Sequence, residues 1–99
     1  MDEKHSRKAD RVALRAHVDI RRPGDHRYKV AIEDFSPQGC RVEIPVYVDE
    51  GDGIYISLPG LETIEGTVRW KKDWQIGIEF VRPLYPAVFD MMRKKMAQK

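Results

Sequence analysis

Cysteine is nearly absent from the 99 residues: Cys40 stands alone, so no internal disulfide can form and a reducing cytoplasm is the expected setting. No apolar run approaches the ~20 residues that cross a bilayer, and no membrane insertion is expected. The opening MDEKHSRKAD lacks the apolar segment of a secretory signal. His5, His17 and His26 are scattered, with no cysteine or carboxylate at ligand spacing, so no metal site is expected. There is no GxSxG elbow and no glycine-rich phosphate loop. Cys40 falls in alternation with Val42 and Ile44 and reads as a small buried hydrophobe. These absences leave no positive case for catalysis, and neither enzyme activity nor a cofactor is expected.

Charge of one sign is also scarce. The net charge is +2, too little to argue for a nucleic-acid polymer as partner. The cations are unevenly placed, however: Lys4, Arg7, Lys8, Arg11, Arg15, Arg21, Arg22 and Arg27 all fall in the first 27 residues. A second group, Arg93, Lys94, Lys95 and Lys99, suits the C-terminal end of a helix dipole.

What is present is an ordinary globular composition, 41% hydrophobic and 34% charged, in a length suited to one domain, residues 1–99. Residues 1–11 show no period and read as a flexible arm. From Val12 the pattern alternates, with Val12, Leu14, Ala16, Val18 and Ile20 on one face. Pro23-Gly24-Asp25 is a turn, and Tyr28, Val30 and Ile32 alternate in a second strand. Further alternations run through Cys40, Val42 and Ile44; Ile54, Ile56 and Leu58; Ile64, Val68 and Trp70; and Trp74, Ile76, Ile78 and Phe80. Six short strands over 12–81, joined by Gly/Pro turns, predict an antiparallel β-barrel, all-β apart from a C-terminal helix. Val12, Leu14, Val42, Ile56, Ile76, Ile78 and Phe80 are its expected interior. The helix is expected over 84–98, with Pro86 in its first turn and Tyr85, Phe89, Met92 and Met96 as its apolar stripe.

Two stretches are not explained by the strand pattern. In EDFSPQG, Asp34 and Ser36 are two apart on an extended segment and project side by side, just before Gly39. They either cap their own turn or offer acceptors and a hydroxyl to a ligand. Gly39 either takes a positive φ or lets another group approach the backbone. Upstream, SRKADR sets Arg7 and Arg11 four residues apart. Guanidinium groups bond the O6/N7 edge of guanine, stack on bases and pair with phosphate, while a carboxylate can accept from the guanine N1–H and N2–H₂ side.

The ordered pair RKADR, Arg7 to Arg11, and DFSPQG, Asp34 to Gly39, resembles the PilZ domain family, with GTVRWKKDWQIGIEF similar to that family's closing hairpin. The family is a set of small bacterial β-barrels that bind cyclic di-GMP. The resemblance implies that Arg7 and Arg11 grip guanine and phosphate from the arm, that Asp34 and Ser36 meet the ligand from the barrel surface, and that Gly39 leaves it room. Lys8 would add a phosphate contact. Trp70 sits where some members carry an aromatic near the ligand, although its phase with Val68 points to core packing. Ser6 replaces an arginine that many members have, which argues for one ligand molecule per site rather than a stacked pair. Asp10, between the arginines, would oppose a dianion modestly.

The resulting expectation is a non-enzymatic receptor, a monomer without ligand, whose arm orders onto the barrel and alters a surface for a downstream protein. The alternatives are a PilZ-like protein-interaction module without ligand, and a small nucleic-acid-binding barrel using Arg15, Arg27 and surface aromatics. An inward phase of most aromatics argues against the last of these.

Overall fold

A computed structural model of the chain describes residues 12–97, with side chains described over 16–96. The arm and the inward placement of Val12 and Leu14 lie outside those described positions. The alternating segments form β1 (Val12–Arg21), β2 (Tyr28–Ser36), β3 (Gly39–Glu43), β4 (Gly53–Ser57), β5 (Ile64–Lys72) and β6 (Gln75–Phe80). Around the barrel the order is β1-β2-β3-β6-β5-β4, with β4 closing back on β1 and every neighbouring pair antiparallel. Closure pairs the strand edges that an open sheet would present to other chains.

The phase of the alternation is as expected. Val42, Ile56, Ile76, Ile78 and Phe80 are buried, while Arg41 is half-buried and Glu43 exposed. Complete burial of such apolar side chains stabilises by about 1.5–3 kcal/mol each. Cys40 joins this core, and burial pushes its thiol up to about 12, so it is protonated and unreactive near neutral pH.

The helix, α1 (Pro86–Ala97), packs against β1 and seals the core with Met92 and Met96. The Phe89 ring lies 5.0 Å, centroid to centroid, from that of Phe35, which is itself 6.4 Å from Phe80. Tyr85 departs from the expected stripe and is exposed. Its carbonyl accepts the Phe89 N–H at 2.9 Å, so it caps the helix from outside and its side chain escapes the helical period. Val88 packs against the core instead.

Trp74 also departs from its alternation. It is not in β6 but in the two-residue β5–β6 turn, where Asp73 and Trp74 have φ of 52° and 68°. Positive φ at both positions is the type I′ geometry that matches strand twist; Asp73 suits it, whereas Trp74 stands where glycine is the common residue. The Trp74 carbonyl accepts the Ile44 N–H at 2.8 Å, which ties the turn to the chain just after β3. The indole is left exposed. With Tyr47, Trp70 and Tyr85 also exposed, the inward phase expected for most aromatics fails at these positions.

Candidate ligand-binding site

Strict alternation along β2 would put Asp34 on the same face as Val30 and Ile32, inside the barrel. A bulge prevents this. Ile32 pairs with Val42 but Asp34 pairs with Arg41, so Glu33 is an extra residue without a counterpart on β3. After it the faces exchange: Phe35 is fully buried, and Asp34 and Ser36 lie half-buried on the outer side. The β2–β3 connection is a tight turn that pairs Ser36 with Gly39 and Phe35 with Cys40, which places Arg41 directly opposite Asp34.

A second bulge acts on β5. Val68 pairs with Ile78 and Trp70 with Gly77, leaving Arg69 as the extra residue. Val68 is fully buried, but Trp70 is 40% exposed, so the core packing expected for Trp70 is not what the barrel shows. Its indole lies against the backbone of Gly77, where a β-carbon would sit 2.1 Å from Nε1. Gly77 is therefore what lets the ring lie down on the barrel surface.

Together the two bulges make a groove of about 190 Å³ lined by Asp34, Ser36, Gln38, Gly39, Cys40, Arg41, Arg69, Trp70, Gly77, Ile78 and Glu79. Clefts of about 520 and 340 Å³ flank Trp74, but no motif side chain lines either of them. The smaller groove is where the chemistry converges.

Ser36 caps its own turn. Its Oγ accepts the N–H groups of Gln38 at 3.2 Å and Gly39 at 3.3 Å, and can donate to the Gly39 carbonyl at 3.4 Å. Asp34 instead faces Arg41, with Oδ2 at 3.2 Å from Nη2. The same Nη2 is 3.4 Å from Glu33 Oε1, which accepts from Gln75 Nε2 at 2.7 Å. Arg41 Nε is buried with no hydrogen-bond partner among the described residues. On the far wall Arg69 Nε donates to Glu79 Oε1 at 2.5 Å, a pair exposed enough to contribute little to stability.

Gly39 resolves the choice left open by its sequence. It is not among the positive-φ glycines, and a β-carbon there would lie 2.0 Å from the Ile78 carbonyl oxygen. The group that approaches its backbone is therefore β6. The same turn is held from the other side, because the N–H groups of Phe80 and Leu84 donate to the carbonyls of Gln38 and Pro37 at 2.7 and 2.8 Å.

Asp34, Ser36, Gly39 and Trp70 are thus brought together, whereas Arg7, Lys8 and Arg11 lie outside the described residues. Arg41 escaped the motif reading, although counting back from a two-residue turn at Pro37-Gln38 would have set it opposite Asp34. Glu33, Arg69 and Gly77 carried no such signal, because their roles depend on bulges. Among the described residues no group of three or more His, Cys, Asp or Glu could hold a metal ion, and no helix is long and apolar enough to cross a membrane.

The chain is thus a closed six-stranded antiparallel barrel with one C-terminal helix and a polar groove at the β2–β3 turn. The PilZ domain family model matches residues 5–93, and the chain belongs to that family, whose members are known as cyclic di-GMP receptors and are regulatory rather than catalytic. Among solved structures, the PilZ domain of CeSA from a cellulose-synthesising bacterium shares the fold, with a TM-score of 0.60 at 15% identity over 88% of this chain and 93% of that one. No curated protein matches the chain.

Proposed function

We infer that this chain is a cyclic di-GMP receptor without enzymatic activity. The observation that carries this reading is the convergence of Asp34, Ser36, Gly39 and Trp70 on one groove next to the start of β1, where Val12 pairs with Phe35 and Ala13 with Asp34. Arg11 immediately precedes Val12 in the chain, which supports the arginine motif reaching the same groove. Asp34 would accept from the guanine N1–H and N2–H₂ groups, and Trp70 would supply an apolar wall. Arg7 and Arg11 would take the base edge and phosphate, and Lys8 a second phosphate contact. A groove of about 190 Å³ is below the ~300–1,000 Å³ usual for whole small ligands, so it suits one guanine end and leaves the rest to be covered by the basic segment.

In this reading the ligand draws residues 1–11 onto the barrel and alters a surface read by a downstream protein. The chain works in the cytoplasm, as a monomer when empty. Calorimetric titration with cyclic di-GMP, with GTP and cyclic di-AMP as controls, tests it. Selective saturable uptake of cyclic di-GMP supports the reading, and no uptake overturns it. Oligonucleotide binding with a steep salt dependence would favour a nucleic-acid barrel instead.

A further inference from the structure

The β2 bulge has an effect that the binding motif does not include. In a regular strand Glu33 and Asp34 would point to opposite faces. Here both are on the outer side and both face one guanidinium: Arg41 Nη2 lies 3.4 Å from Glu33 Oε1 and 3.2 Å from Asp34 Oδ2. Gln75 Nε2, donating at 2.7 Å, fixes the Glu33 carboxylate at that place.

We propose that Glu33 is a positioning residue of the groove, which takes over Arg41 when ligand donors take Asp34. Accepting both the guanine N1–H and N2–H₂ engages both Asp34 oxygens, including the Oδ2 that faces Arg41, so Arg41 must yield its share of that oxygen. With a single carboxylate present, that exchange would leave a half-buried guanidinium whose Nε has no partner among the described residues. An uncompensated cation in such a place is costly, and the cost would be subtracted from ligand affinity. Glu33 removes it, because the same nitrogen is already within ion-pair distance of a second carboxylate and needs only a small shift. Arg41 then remains neutralised in both states, and its hold on Asp34 Oδ2 is given up without leaving the guanidinium unpaired. This inference rests on the groove being the cyclic di-GMP site.

The sign of one substitution separates this role from simple charge. Cyclic di-GMP is a dianion, so if Glu33 acted only as a nearby negative charge, Glu33→Gln would tighten binding. A partner-exchange role requires the reverse. The experiment is a calorimetric double-mutant cycle with cyclic di-GMP on the full chain, using wild type, Glu33→Gln, Arg41→Gln and the double variant, with melting temperatures confirming that each is folded. Glu33→Gln is expected to weaken binding roughly three- to tenfold, in the range of couplings between neighbouring charges. In the Arg41→Gln background the same change should not weaken binding at all. Unchanged or tighter binding by Glu33→Gln overturns the proposal, as does a weakening that persists without Arg41. If the wild-type chain itself takes up no cyclic di-GMP, the receptor reading fails and this inference fails with it, an outcome distinct from either of those.

Discussion

The indole of Trp70 rests on the bare backbone of Gly77, and the nearest heavy atoms a β-carbon at Gly77 would meet all belong to that ring. The relationship has a direct consequence. Gly77→Ala is expected to push the ring off the barrel and destabilise the fold by roughly 1–3 kcal/mol, the usual cost of overpacking. In a Trp70→Ala background the same alanine should be nearly neutral, because its clash partner is gone. Thermal melts of the two single variants and the double variant check this, and additive losses would show that Gly77 is required for some other reason.

Gly39 belongs to the DFSPQG motif, but its close neighbour is the Ile78 carbonyl rather than open groove. Gly39→Ala should therefore lower the melting temperature of the free protein, again by roughly 1–3 kcal/mol of stability. Any loss of cyclic di-GMP affinity would accompany that destabilisation. An alanine variant as stable as wild type yet unable to bind would return Gly39 to a purely ligand-directed role.

Arg7→Ala and Arg11→Ala are each expected to lose roughly ten- to hundredfold in cyclic di-GMP affinity, the worth of one charge-assisted hydrogen bond. The melting temperature of the free protein should barely move. Asp34→Ala should lose binding to a similar extent. Because Glu33 still faces Arg41, its cost to free stability should stay below about 1 kcal/mol. Calorimetry paired with melts of the empty protein measures all three. A loss well above 1 kcal/mol for either arginine variant would make those side chains structural.

Asp25 supplies a pH test unconnected with the ligand. Its carboxylate accepts from Arg22 Nε at 2.9 Å and from the His26 N–H at 2.8 Å, and Arg22 holds it below its ordinary value of 3.8. A carboxyl depressed in the folded state stabilises the fold above its unfolded value, and that contribution is lost as pH falls through the folded value. Asp25→Asn should thus melt lower than wild type at pH 7, with the gap closing below pH 3.8. A gap that is independent of pH would mean that the turn, not the charge, sets the difference.

Which residues fill the barrel was legible in the chain itself. Period-two alternation is a local consequence of strand geometry, and it assigns Val42, Ile56, Ile76, Ile78 and Phe80 to the interior without reference to any neighbour. The opposition of Asp34 and Arg41 was legible in principle too, since a tight turn sets the register of the residues before and after it. The outward turn of Asp34 and Ser36, the exposure of Trp70 and the pairing of Glu33 with Arg41 were not legible in this way. Each follows from a bulge, and a bulge is settled by how one strand matches the register of its neighbours, which no single strand encodes. The positive φ of Trp74 is of the same kind, because the tight β5–β6 connection requires a backbone conformation that a tryptophan does not favour. Alternation along one strand therefore decided what lies inside, and the mismatch between strands decided where the motif side chains face.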